Sequence, residues 1–392
     1  MSLRVFGLAP VCILVNSAAF AEAANPIVTE LDLESTIVVM PLSDADGPID
    51  PEPALAEISL NATSETVLSN GVRIRARGAL RLQRDHPNRP AGLGGFGDEL
   101  IAPVGIFSGL ASSRPERDSK MRTRLETAYL QVDGGYGEGR IGKDQGVAAR
   151  FFEGPKSVLS HARLDSTLLD PSGLSTVRSR HNLTGPSLKA SYTTPRLLGV
   201  RGGVSYTPQA NADGLDRRPG SGTGGFSPET ENAIELAVNG TRRLRQSGLR
   251  FDVGLAWSRA DVTNRGLRAP YSNVETWSAG TRIEREDWTF GAAWLESDNG
   301  LPSSAYTAWT AGLHKTAYDT DFSFEFGDSK DEGIGLDARS LRFGTARDFG
   351  PSTRISVAFL SDKTSFLTET WESQGVVVEI TLSQEFSQVT GN

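Results

Sequence analysis

Cysteine is nearly absent from this chain of 392 residues: the single one, Cys12, stands close to the start. A disulfide framework and thiol chemistry are therefore excluded for everything that follows it. Histidine is almost as scarce, and His86, His161, His181 and His314 are scattered without metal-ligand spacing, so the sequence supports no metal site and implies no cofactor. Long apolar runs are missing as well. No stretch approaches the roughly 18 to 20 residues that a membrane-crossing helix needs, so a membrane location would have to be reached with strands. An excess of positive charge is lacking too: the formal net charge is -8 and the isoelectric point about 5.3, which argues against nucleic acid as a partner.

What the chain does have is glycine, 42 residues of it, with 8% aromatics and a mean hydropathy of -0.28, a composition suited to many strands and turns. In "SNGVRIRARGALRLQRD", Ser69 to Asp85, Val72, Ile74, Ala76, Gly78, Leu80 and Leu82 alternate with Arg73, Arg75, Arg77, Ala79, Arg81 and Gln83. The period of two is that of a strand, and Asn70-Gly71 before it is a hairpin turn signal. The same alternation returns in about fifteen segments, or about sixteen with "STIVVM" at Ser35 to Met40, and closed bacterial barrels favour even numbers. Among them are Lys120 to Val132, Arg180 to Thr194, Leu249 to Asp261, Thr320 to Gly327 and Gly375 to Phe386. Phe251, Val253 and Leu255 oppose Asp252 and Gly254; Phe322, Phe324 and Phe326 oppose Asp321, Ser323 and Glu325.

A β-sandwich would alternate in the same way, but its loops would be of similar length at both ends. Here Ser69-Asn70-Gly71, Asp133-Gly134-Gly135, Gln246-Ser247-Gly248 and Gly350-Pro351 are tight, whereas His86 to Ser119, Gln145 to Ser179 and Pro208 to Glu229 are long. Short turns on one rim and long loops on the other are the outer-membrane pattern. The opening residues add export: Arg4, an apolar stretch from Val5 to Val15 and Ala19-Phe20-Ala21 read as a secretory signal peptide over residues 1–21. An acidic, proline-rich extension over 22–56 with a possible first strand, a barrel over 57–386 and a tail over 387–392 complete the expected organisation.

"TRLETAYLQVDGGYGEGRIGKDQGVAARFFEGP", Thr123 to Pro155, resembles the segment of Gram-negative general porins, alphaproteobacterial ones above all, in which a strand, a glycine-rich turn and a second strand lead into the third loop. "TVLSNGVRIRARGAL" upstream resembles the family's preceding hairpin. The resemblance implies a 16-stranded antiparallel transmembrane β-barrel, a homotrimer in the lipid bilayer of the outer membrane, with the third loop folded inward as a constriction. It implies passive diffusion of small hydrophilic solutes and ions through a charged neck. Arg73, Arg75, Arg77, Arg81, Arg122, Arg124 and Arg140 would form its basic wall, and Glu153, Asp165 and Asp170 its acidic loop. Such opposed charges set up a transverse field. Alternating arginines also fit a merely solvated inner wall, and Arg150, Lys156, His161 and Arg163 complicate a simple acid-against-base picture. The chain departs from the family where Phe386 is followed by "SQVTGN".

Two other classes compete with the channel. An outer-membrane barrel enzyme of lipase or protease type would need Ser/His or Asp/His at a rim; Ser160, His161 and Asp165 have the right residue types but no G-x-S-x-G elbow. A soluble, secreted β-rich binding protein would hide its apolar face inside. "GLGGFG", Gly92 to Gly97, satisfies a dinucleotide fingerprint formally, yet it follows Pro90-Ala91 and precedes Pro103 rather than joining a strand to a long helix, so it reads as a loop.

Overall fold

Alternation along each strand is what closes this chain on itself. The computed structural model describes residues 26–47, 49–87, 89, 105–110, 121–210, 229–263, 271–366 and 369–390. The expected signal peptide with Cys12, and Gly92 to Gly97, lie outside them. The strands are β1 (Ile27–Asp46), β2 (Ala54–Val67), β3 (Arg73–Arg84), β4 (Arg122–Gly134), β5 (Gly137–Asp144), β6 (Ser187–Thr193), β7 (Val200–Ala210) and β8 (Glu229–Arg243). They continue as β9 (Arg250–Thr263), β10 (Val274–Arg285), β11 (Trp288–Ser297), β12 (Tyr306–Ala317), β13 (Thr320–Asp331), β14 (Leu336–Asp348), β15 (Thr353–Phe366) and β16 (Glu369–Thr390). Each pairs antiparallel with its sequence neighbours, and β16 pairs with β1, so the sheet is a closed barrel of sixteen strands. Among the described residues no helix is long and apolar enough to cross a membrane.

The apolar face points outward, opposite to a soluble sandwich. Leu255 is 54% exposed, while its neighbours on the other face, Asp252 and Ser258, are 2% and 0% exposed. Phe322 and Phe324 are exposed on the outside, while Ser323 and Glu325 are buried within. Tight connections gather at one rim, as expected. At 317–320 the turn is a two-residue one in which Tyr318 and Asp319 both take positive φ, 54° and 55°, the conformation that matches hairpin twist.

The outer belt is lopsided. Trp277, Trp288, Phe290, Trp294, Trp309, Phe324 and Phe343 are exposed on β10 to β14. Strands β1 to β5 contain one aromatic residue, Tyr129, and it is buried.

Three boundaries differ from the sequence reading. β1 is a full barrel strand from Ile27, far longer than the Ser35 to Met40 patch, because its acidic residues alternate with outward Leu31, Leu33 and Ile37 and pair in register with β16. β16 does not stop at Phe386: Ser387 to Thr390 pair with Glu30 to Ile27. β6 starts at Ser187 rather than near Arg180, because His181 is turned inward, its ring nitrogens 2.9 Å and 2.7 Å from the hydroxyls of Ser278 and Ser258.

Candidate functional site

Between β5 and β6, residues 145–186 run against the inner face of the barrel. The one-turn helix α1 (Val147–Arg150) opens this segment, and Ala148 N donates to the Glu235 carboxylate of β8 at 3.2 Å. The same carboxylate accepts from the Thr184 hydroxyl at 2.7 Å, so one buried acid holds both ends of the segment. Next, the backbone passes so close to the wall that Gly254, Gly280 and Gly291 are required on β9, β10 and β11. A Cβ there would stand 2.4 Å from Phe151 O, 1.8 Å from Glu153 O and 2.5 Å from Gly154 O.

The middle of the segment is pinned on the opposite wall. Ser160, His161 and Ala162 donate their backbone N–H groups to the Glu379 carboxylate of β16 at 2.8, 3.0 and 3.2 Å. Gln83 donates its side-chain amide to Leu168 O at 2.6 Å, and Ser172 Oγ donates to Asp362 at 2.6 Å. Asp362 is itself bound by both terminal nitrogens of Arg342, at 2.8 and 2.9 Å, in a pair almost fully buried. Arg342→Ala leaves that carboxylate buried without its cation, so it will cost about 3 to 5 kcal/mol and lower the thermal unfolding midpoint. Arg342→Met with Asp362→Asn should recover part of the loss.

The arginines of β3 to β5 are brought to one inner wall. Arg73 and Arg75 share Glu65, at 3.2 and 2.5 Å, and Arg81 pairs with Glu57 at 3.1 Å. Arg122 donates to the Gln83 side chain at 3.5 Å. Arg140 lies between Glu138 and Asp144, at 2.8 and 2.9 Å, with its guanidinium 4.8 Å from the Tyr129 ring centre. Arg77 is exposed, Arg124 stands opposite Arg81 in the ladder, and neither forms an ion pair among the described residues.

The three acids expected on the loop fare differently. Glu153 stays partly exposed, 3.2 Å from Arg282 of β10; burial pushes its carboxyl up and Arg282 draws it back. Asp165 is 1% exposed and is clasped by Arg163 at 2.9 Å through both oxygens. Asp170 is fully buried and accepts from Gly173 N and Ser175 N, closing its own turn, with Ser172 Oγ 2.8 Å from its carboxyl. Burial, together with the nearby Asp362 carboxylate, pushes Asp170 upward, which disfavours its charge. Asp165 and Asp170 therefore do not present an acidic face; short-range partners in the segment use them up.

In the sequence His161 groups with the loop's basic residues and, by residue type, with Ser160 and Asp165. In the fold its Nε2 is 3.2 Å from Glu57 and its Nδ1 is 2.9 Å from Ser160 Oγ, which also donates to Glu379. Burial works against its charge, but the hydrogen bonds to Glu379 and Glu57 outweigh this and lift it to about 9. A cavity of about 200 Å³ lies beside it, lined by Glu34, Glu57, Asn61, Arg81, Glu126 and His161. Glu57, Glu235, Glu379 and the Arg342–Asp362 pair were missed in the sequence. Their signal was present, since each is an ionisable residue at an inward position of a strand.

The family model described as Gram-negative porin matches residues 54–366. No curated protein sequence gives a significant match. Among solved structures, OprB of Pseudomonas putida is similar with a TM-score of 0.59 and 10% identity, covering 92% of this chain and 94% of that one. OmpF of Salmonella typhi, in complex with daunomycin, gives 0.56 and 11%, covering 92% and 98%. The anion-selective porin of Comamonas acidovorans gives 0.53 and 12%, covering 93% and 100%.

Proposed function

The chain belongs to the Gram-negative porin family and forms an outer-membrane channel, and from that premise we propose an anion-preferring, trimeric diffusion pore whose neck is the 145–186 segment. The observation that carries the preference is the unequal fate of the charges. The segment's acids are paired or buried, whereas its Lys156 is exposed, and on the wall Arg77 and Arg124 keep part of their surface in water; none of these three forms an ion pair among the described residues. Small hydrophilic anions would be drawn into such a passage and cations delayed. The Comamonas structure, named as anion-selective, is an analogy in the same direction.

The trimer reading rests on the outer surface: the aromatic half suits the lipid boundary, and the aliphatic face of β1 to β5 suits packing against copies. Residues 1–21 would be removed on export. Ser160 and His161 are hydrogen-bonded, yet their backbone N–H groups and the serine hydroxyl all converge on Glu379, which makes them an anchor and not a nucleophile and base. The test is a planar bilayer with a salt gradient. Stepwise conductance with a reversal potential of anionic sign is expected, alongside a heat-sensitive trimer in mild detergent gels. Soluble periplasmic protein, or cation preference with the barrel intact, would overturn it.

A further inference from the structure

The inner wall of a water-filled barrel is ordinarily polar. Here it is not, over the end opposite the tight turns. Val274, Leu295, Tyr306, Leu336, Phe366 and Trp371 are buried from β10 to β16 in one apolar cluster with almost no exposure. Left facing water, that wall would be unfavourable in proportion to its area. It is covered by Ile49, by Leu174 and Leu183 of the 145–186 segment, and by residues 105–110, from the connection between β3 and β4, whose Ile106, Phe107 and Leu110 are 3%, 1% and 0% exposed.

This segment is fixed as well as buried. Ile106 N donates to Asn299 O at 3.1 Å and Ser108 N to the Asn299 side-chain oxygen at 3.0 Å, while Asn299 donates on to Asp331 at 3.2 Å. The Phe107 ring stands edge-on to His181 at 6.3 Å and tilted to Tyr306 at 5.8 Å. Tyr306 in turn donates to Thr176 O and accepts from Arg178 N, so Phe107 backs the returning leg of the 145–186 segment. The cavity left among Arg89, Phe107, Ser166, Arg178 and Arg180 is about 40 Å³, room for a few water molecules.

Resting on the channel reading, we propose that residues 105–110 are a second, fixed constriction element that narrows the lumen, with Phe107 and Leu110 as the buried anchors that hold it against the wall. The segment is thus committed to its own barrel instead of latching a neighbouring subunit. The test compares the full chain with Phe107→Ser/Leu110→Ser, in bilayers and by swelling of liposomes in sugars of graded size. Conductance should rise about twofold or more and larger sugars should enter. A second variant, Ser108→Cys/Asn299→Cys, is oxidised until no free thiol remains; a fixed element keeps wild-type conductance when so pinned. The proposal fails if the serine variant, folded by its heat-modifiable migration, keeps wild-type conductance and size cutoff. It fails equally if oxidation closes the channel and reduction reopens it, which would make the segment a moving gate. No conductance from wild type would instead refute the channel reading itself.

Discussion

Replacing Arg77 and Arg124 together by glutamate will turn the channel towards cations, and it will do so more strongly than any other pair on the β3 to β5 wall. Both lack an ion-pair partner among the described residues, so their fields are not cancelled locally. A unit charge at 4 Å acts with about 1 kcal/mol even in bulk water, and more beside low-dielectric walls. Two reversals change the local charge by four units. The anion-over-cation permeability ratio should therefore fall by on the order of tenfold or more, read as a reversal potential in low salt. Arg75→Gln is the milder comparison: it removes one unit of charge from a site that Glu65, shared with Arg73, already offsets in part, so it should move the ratio far less. Asp44→Asn, on exposed β1 backbone beyond the bulge, should do little once salt screens it over about 8 Å. An unchanged ratio in the double variant, with conductance intact, would reduce the arginines to a solvated wall.

That ranking among arginines was not visible in the sequence. Period-two alternation placed Arg73, Arg75, Arg77 and Arg81 on one face, because a strand has only two faces. Which of them keeps an uncompensated charge depends on β2, where Glu65 and Glu57 stand opposite Arg75 and Gln83 in the ladder. Register is a long-range property of the closed sheet. The same limit explains the loop acids. Asp165 lies two residues from Arg163, and Asp170 precedes a Ser-Gly turn, so local partners claim both, and Asp165→Lys will loosen the segment instead of simply adding a pore charge.

The fold was legible where both faces differed in polarity, as with Phe322, Phe324 and Phe326 against Ser323 and Glu325. It was less legible where one strand faces apolar surroundings on both sides. Leu336 and Ala338 point into the barrel, yet they read from sequence only as part of an apolar strand. Residues 105–110, short and lacking any alternation, carried no sign that they would cover them. Strand ends at β1 and β16 were misjudged for a related reason: acidic and amide side chains are tolerated on a wet inner face, so polarity did not mark the end of the ladder.

Glu379→Ala will release the middle of the inner segment and raise conductance, and raising the pH will do the same more gently through His161. Without the carboxylate, the buried N–H groups of His161 and Ala162, with that of Ser160, lose their acceptor at once. Each such loss costs about 1 to 3 kcal/mol, enough in sum to undock residues 158–162 while leaving the strand ladder intact. The histidine adds a pH term whose sign follows from its raised value. Free histidine titrates near 6.5 and docked His161 near 9, so the charged form favours the docked state. Its contribution, on the order of 3 kcal/mol, is complete below about pH 6.5 and is lost as the pH rises through about 9. The groups facing it are Glu57, Glu379 and, at 4.0 Å, Glu34, all acids that hold a cation in place. Single-channel conductance measured from pH 6 to pH 10 should climb across that window in wild type. In His161→Gln, which keeps hydrogen bonds but cannot charge, conductance should start higher and stay flat. A wild-type climb that persists unaltered in His161→Gln would show that another group controls the segment.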